Sequence, residues 1–409
     1  MRMRCFMFAA IVILWNLQAI TPACAAATLT VGPDKAFGTI AAAVRAAHPG
    51  DIIKVWPLAG DQPYRGVHIL MRTPRITIVA ATPGRYVAIN GGGFNYNGRG
   101  PIPRAIFQFD PTSSGCTLEG FELYNAHNDS FNGAGVRINA ADNITIRRCY
   151  IHNNDMGIMS NGIYARRTGA HQLITGCHIT RNGTSRQPGY NHNLYLGGTS
   201  AVVRGCDISH SLTGHNLKSR CHMTWVEYCY IHDSANRELD LVDARGDTDV
   251  PHSDAVILGC IIQKSPHCPG NHQVIHFGRD GHAGHDGTLY IVQSTIETPY
   301  PTAAVLLSTR NVNVKFINDK IRTTAHRAVL VAAIHGADAQ SISGKGNDIS
   351  PAYNPQAGFL NSPPLPWSQI TLPWARAGLR PRPLMQYRGA GKLVKRLKEG
   401  SGAGRPPTR

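Results

Sequence analysis

Asn193-Leu194-Tyr195-Leu196, Asn216-Leu217-Lys218-Ser219 and Glu238-Leu239-Asp240-Leu241 are three readings of one short pattern. The pattern continues on both sides. Upstream stand Gly135-Val136-Arg137-Ile138 and Gly162-Ile163-Tyr164-Ala165. Downstream stand Gln273-Val274-Ile275-His276, Ala304-Val305-Leu306-Leu307 and Ala328-Val329-Leu330-Val331. The second residue is always aliphatic, and alternation at period two predicts a strand with one buried face. Recurrence every twenty to thirty-odd residues predicts a solenoid, in which each coil buries its face against its neighbours.

A second column supports the register. Phe121, Cys149, Cys177, Cys206, Cys229, Cys260 and Ser294 each stand two residues before an aliphatic residue. Five cysteines in one column predict a stack of buried, reduced thiols rather than metal ligands, because no CxxC pair is present. Cys221 and Cys268 fall outside the column and are the pair expected to bond if any does. The repeats are rich in Val, Ile, Cys, Asn and Gly, which suits parallel β-coils with short turns.

These repeats resemble the right-handed parallel β-helix proteins of the pectate-lyase-like superfamily over roughly residues 28–350. The entry segment agrees. Thr28 to Val31 reads as a strand, Phe37 to Ala47 as an amphipathic helix with Ile40, Val44 and Ala47 on one face, and Ile52 to Val55 as the first coil strand. The resemblance implies an all-β solenoid with that short helix capping its N-terminal end. It does not select an activity, since this scaffold hosts many.

Residues 1–25 read as a secretory signal. Arg2 and Arg4 supply charge, Phe6 to Trp15 the apolar run, and Ala23-Cys24-Ala25 the cleavage site. A lipoprotein reading at Cys24 lacks the usual Leu. The expected location is periplasmic or secreted, with no transmembrane segment after cleavage and a monomeric solenoid over 26–362. From Pro363 the pattern fails. Residues 363–409 are expected to form a Pro-rich, basic and largely disordered tail, with ten Lys or Arg and one acid from Arg376 onward. Much of the formal charge of +16 sits there. Export argues against nucleic acid and leaves an anionic polysaccharide as the expected partner.

Alternation also predicts what faces outward: Tyr164 and Arg166, then Asn193 and Tyr195, then Asn216, Lys218 and Arg220, then Glu238 and Asp240. Polar character peaks in these middle coils. His192, His215 and His272 precede the strands and are expected to turn inward or toward the turn, with His215 the least settled. His276 and Ser219 are read as inward. β-Elimination from a uronate requires neutralisation of the carboxylate, a base for the C5 proton and an acid for the leaving oxygen. Lys218 beside the cation Arg220 fits the base, Arg220 the carboxylate clamp, and Tyr195 the acid or part of the base pair, with His215, at the strand entrance, a further catalytic candidate. Tyr164, Arg166, Asn193 and Asn216 would bind substrate. Glu238, Asp240 and Asp243, with Asn193 or Asn216, offer oxygen ligands for Ca²⁺. This combination resembles alginate- and chondroitin-type lyases, which place their Lys and Arg on different coils, whereas here both share one strand. A glycoside hydrolase using two of the three carboxylates, an epimerase and a non-catalytic glycan binder remain open.

Overall fold

The computed structural model describes residues 25–338 and 341–373. The expected signal segment before Ala25 and the expected tail beyond Pro373 lie outside the described residues. What is described is a parallel β-solenoid. One sheet contains eleven strands and the other twenty, and neighbouring strands pair in parallel from coil to coil. The larger sheet is two faces joined at a bend. The strands Leu194–Arg204 and Leu217–Glu227, eleven residues each, run through that bend without a break.

The aliphatic column exists as expected at Val136, Leu194, Leu217, Leu239 and Val305, all without exposed surface. Three of its expected members are displaced. Ile275, not Val274, pairs with Leu239 and Val305. Val331, not Val329, continues the column, and Val329 is exposed. Ile158, not Ile163, pairs with Leu194, and Ile163 is exposed ahead of a short 3₁₀ turn at Tyr164–Arg166.

The slip at Val274 has a physical cause. At the corner before this strand, two consecutive side chains point inside. In the middle coils the corner residue is polar. Asn154 donates to Asn182 Oδ1 (3.0 Å), Asn182 to Asn193 Oδ1 (2.9 Å), Asn193 to Asn216 Oδ1 (2.8 Å), and Asn216 to Glu238 Oε2 (2.6 Å). The ladder ends on buried Lys264, 3.8 Å from Glu238 Oε1. Each amide satisfies its neighbour, which a dry interior requires. Val274 takes this corner position one coil on, where an apolar residue cannot be told from a strand residue by pattern.

The cysteine column is confirmed. Cys149, Cys177, Cys206, Cys229 and Cys260 are buried and unpaired, and Cys116 is buried too. Each of the five donates to the carbonyl two residues before it, at 3.4–3.5 Å, and Ser294 repeats this with its hydroxyl at 3.0 Å. Cys221 and Cys268 are also buried free thiols, so the expected pairing between them is not formed. Eight cysteines follow residue 25. Protein lacking residues 1–25, denatured without reductant, should therefore titrate eight thiols; any lower number reveals a disulfide.

The capping helix is Ile40–Ala46, started by Thr39, whose hydroxyl accepts from the Ala42 N–H at 3.2 Å. It buries Ile40 and Ala43, with Ala47 just beyond, while Val44 packs only partly. At the far end Tyr353, Ala357 and Leu360 bury against the same core. The described start of the expected tail is not loose. Leu372 is buried with Trp225, Val256 and Leu258 on the outside of the solenoid, and Trp367 and Ile370 pack beside it. Apolar side chains on that outer face provide the driving force for the wrap.

Candidate active site

Register places Met159, Tyr195, Lys218, Asp240, His276 and Leu306 side by side on adjacent strands. These residues stand on the outer side of the sheet, at the ~4.8 Å step between strands. Arg220 stands two residues along from Lys218, on the same side.

Three cations and three carboxylates interlock here. Lys218 Nζ lies 2.9 Å from Asp240 Oδ2 and 2.6 Å from Asp280 Oδ2. Arg220 Nη2 reaches the same Asp280 oxygen at 2.6 Å, and its Nη1 lies 3.6 Å from Asp243 Oδ1 and donates to the Asp243 backbone carbonyl. Arg220 Nε donates to the Tyr195 hydroxyl at 3.0 Å. Arg237 Nη1 donates to Asp240 Oδ1 at 3.1 Å. Thus Tyr195, Lys218, Arg220 and Asp240 are brought together as the alternation implies.

Asp240 has no exposed surface. It meets Lys218, Arg237, His215 Nε2 (3.3 Å) and His276 Nδ1 (2.9 Å). Burial favours its neutral form, but His215, His276 and Lys218 outweigh that and hold it ionised, well below the usual carboxylate range. Burial likewise works against the charge on Lys218, and Asp240 and Asp280 reverse it, raising its pKa. The expectation that Arg220 would depress Lys218 toward a free base is therefore corrected: the two carboxylates hold Lys218 protonated. His276, read as inward, faces out, because the strand starts one residue later than the pattern implied; its Nε2 shares a hydrogen bond of 2.7 Å with Ser308 Oγ.

His192, expected to turn inward, stands on the site side, and so does the catalytic candidate His215. Their rings stack at 5.1 Å, His192 meets the Tyr195 ring edge-on at 5.5 Å, and His192 Nδ1 accepts from the His215 N–H at 3.0 Å. His215 Nδ1 is buried without a hydrogen-bond partner. Burial, with Lys218 and Arg237 nearby, lowers the His215 pKa to about 4 against the opposing pull of Asp240. His285, buried in a neighbouring loop, is also lowered to about 4, chiefly by burial. A group whose folded pKa is depressed stabilises the fold above its unfolded value and loses that contribution as pH falls. The stability of wild type relative to His285→Gln should therefore decline as pH drops from about 6.5 toward 4, as this imidazole is forced to charge; the comparison cancels the opposite effect of buried Glu238, raised to about 7. A difference between the two melting midpoints that is flat across that window would contradict the buried neutral state of His285.

Several expected ligands are not presented. Asn193 and Asn216 have no exposed surface and are rungs of the corner ladder, so they do not reach a substrate. Glu238 closes that ladder inside the solenoid, and burial raises its pKa to about 7. Asp243 spends both oxygens on a loop: Oδ1 accepts from the Asp280 and Gly281 N–H groups at 2.7 Å, and Oδ2 from Ala283 and Gly284 at 2.9 and 3.2 Å. With Glu238 interior, Asp240 ringed by cations and Asp243 saturated, these carboxylates do not fit a Ca²⁺ ion, which needs several free oxygens facing one point. Tyr164 and Arg166 lie on the 3₁₀ turn beyond the strand end rather than on the strand. Tyr164 stacks on His222 at 3.7 Å, and its N–H donates to Asp247 Oδ1 at 2.6 Å. That contact ties two loops along one edge of the site, with Arg166 exposed on the same turn.

Asp280 was not anticipated. It lies 60 residues beyond Arg220, on a loop launched from Gly278 at φ +139°, where a Cβ would meet Ser308 Oγ at 2.7 Å. The only local signal is an acid flanked by Gly278 and Gly281, typical of a binding loop. A cavity of ≈ 490 Å³ lined by Gln263, Lys264, Glu297 and Arg322 lies elsewhere and contains none of these residues.

The family profile described as "Right handed beta helix region" matches residues 109–193. The crystal structure of an alginate lyase from Paenibacillus sp. str. FPU-7 superposes with a TM-score of 0.55 at 14% identity, over 78% of this chain and 99% of that one. The chain is a right-handed parallel β-helix. The pectate lyase Pel9A aligns with a TM-score of 0.45 at 14% identity, over 87% of each chain. The pectin methylesterase from Aspergillus niger aligns with a TM-score of 0.40 at 12% identity, over 81% of this chain and 93% of its own. No curated protein matches the β-helix in sequence. Among the described residues no helix is long and apolar enough to cross a membrane.

Proposed function

We propose that this β-helix is an exported polysaccharide lyase that cleaves a uronic-acid-containing polymer by β-elimination. One observation carries the reading. Lys218 and Arg220 converge on a single carboxylate oxygen, Asp280 Oδ2, at 2.6 Å each, directly beside the Tyr195 hydroxyl. Two cations aimed at one carboxylate form a carboxylate grip. On this reading the uronate carboxylate of the substrate displaces Asp280 and takes its place.

The roles follow from the charges. Arg220 and Lys218 neutralise the substrate carboxylate, so the adjacent C5 proton becomes more acidic. The Tyr195 oxygen, which accepts from Arg220 Nε–H at 3.0 Å beside the grip, is placed to take the C5 proton as the phenolate. The electron pair left at C5 forms the C4–C5 double bond, and the C4–O bond breaks. Lys218, held protonated, supplies the proton to the departing oxygen. Hydrolysis by paired carboxylates is less favoured, because Asp240 has no exposed surface and Asp243 is saturated.

The fold is shared with an alginate lyase, but at 14% identity the residues, not the likeness, support this chemistry. The test is to incubate protein lacking residues 1–25 with alginate, pectate and chondroitin and follow the ultraviolet absorbance of the conjugated double bond. Growth of that absorbance is the expected result. Hydrolytic cleavage without it, or binding without cleavage, would replace the lyase reading with hydrolase or binding module. A change of sugar composition without chain breakage would indicate epimerisation.

A further inference from the structure

Arg137 is a cation without a counter-ion. Its guanidinium is half-buried on the outer face, and its Nη1 meets the thioether of Met159 at 3.1 Å. No carboxylate lies within ion-pairing distance of it among the described residues. Three other arginines on strands of this sheet are paired: Arg220 with Asp280, Arg147 with Glu119 and Arg204 with Glu227. The acid nearest in chemistry, Asp110, is occupied by Arg72 (3.5 Å), Gln108 Nε2 (2.9 Å) and Asn139 Nδ2 (3.5 Å). Burial and the like charge of Arg104 both disfavour the Arg137 cation, and Asp110 offsets them only in part. A partly desolvated charge left unpaired is costly, and an anionic ligand would relieve that cost.

Register gives this cation a direction. Arg137 pairs with Met159, Met159 with Tyr195, and Tyr195 with Lys218. The four stand in one line across the coils at steps of ~4.8 Å. That step is close to the length of one sugar unit in an extended polysaccharide. Beside the line, Asn161 Nδ2 donates to Asn139 Oδ1 at 2.9 Å, which leaves the exposed Asn161 Oδ1 to accept from a sugar hydroxyl.

We propose that Arg137 forms a second carboxylate subsite, so that a polyuronate lies across the coils with one carboxylate at Lys218 and Arg220 and another, about three units away, at Arg137. This rests on the uronate reading of the Lys218–Arg220 grip and adds the orientation of the chain and its minimum length. A disaccharide at the grip falls short of Arg137, whereas a tetrasaccharide or longer reaches it.

The experiment is calorimetric titration with alginate- and pectate-derived oligouronates of two to six units, in the wild type and in a Tyr195→Phe background that keeps the ligand intact. Arg137→Gln preserves the stem against Met159 and removes the charge. It should weaken hexasaccharide binding by about tenfold or more, as for a hydrogen-bonded ionic contact. Disaccharide binding should be unchanged, and Arg137→Lys should recover part of the loss. Lys320→Gln, an exposed cation on the eleven-stranded sheet, should do nothing. An equal loss for both ligand lengths, no loss for the hexasaccharide, or a matching loss in Lys320→Gln would overturn the proposal. So would a wild type that binds none of these oligouronates. Length-dependent loss in a protein that forms no unsaturated ends would keep the subsite and discard the lyase chemistry.

Discussion

Tyr195→Phe should lower the rate of unsaturated-product formation by about 10²–10⁴-fold, the range typical of removing a general acid or base. The substitution deletes the oxygen that accepts from Arg220 Nε and leaves the ring where it is. That ring packs against the cluster of Ala105, Ala134 and Met156 and meets His192 edge-on, so the fold should be unaffected. Lys218 and Arg220 remain to grip the substrate carboxylate, so KM should change little while kcat collapses. Initial rates on the polymer that wild type cleaves best, with thermal melting as the control for folding, provide the check. A variant of undiminished kcat would remove Tyr195 from the chemistry and leave Lys218 as the remaining proton carrier of the site.

Asp240→Ala should produce the largest loss of stability of any single change at the site, about 3–5 kcal/mol, because it strips the counter-charge from a buried cluster. Lys218, Arg237, His215 and His276 all face this one carboxylate, and none of the four is well exposed. Lys218 would keep Asp280, but the removal leaves Arg237 without an ion-pair partner among the described residues. Denaturant midpoints for wild type and variant measure the effect. A shift worth under about 1 kcal/mol would mean that the cluster behaves like an exposed ion pair. Because a solenoid can unfold in segments, the midpoint reported by tryptophan emission should be compared with that from far-ultraviolet dichroism. Trp225 lies within the affected stretch of coils, on the strand that carries Lys218.

The two predictions separate two kinds of residue on one row. Asp240 has no surface and acts through the groups it orients. Tyr195 is partly exposed and offers an atom to a ligand. Both were legible as outward positions, but alternation assigns a face and not a depth. Lys218, Asp240, His276 and Leu306 are buried, whereas Tyr195 and Met159 keep part of their surface.

The amino-acid pattern by itself determined the solenoid, the column of Leu194, Leu217 and Leu239, the thiol ladder and the outward row of Tyr195, Lys218 and Asp240. These are consequences of period two and coil-length recurrence, which need only local sequence. Tertiary structure alone decided the rest. At the corner two consecutive residues turn inside, so Asn193, Asn216 and Glu238 become ladder rungs although alternation sends them out. The same corner moves Val274 off the column and brings His276 to Asp240. Asp280 reaches Lys218 from 62 residues away, and Asp247 reaches Tyr164 from 83. Contacts of that range depend on how many residues each turn inserts between coils. A strand's periodicity carries no record of that number, so only the folded chain reveals which loop residue arrives at the site.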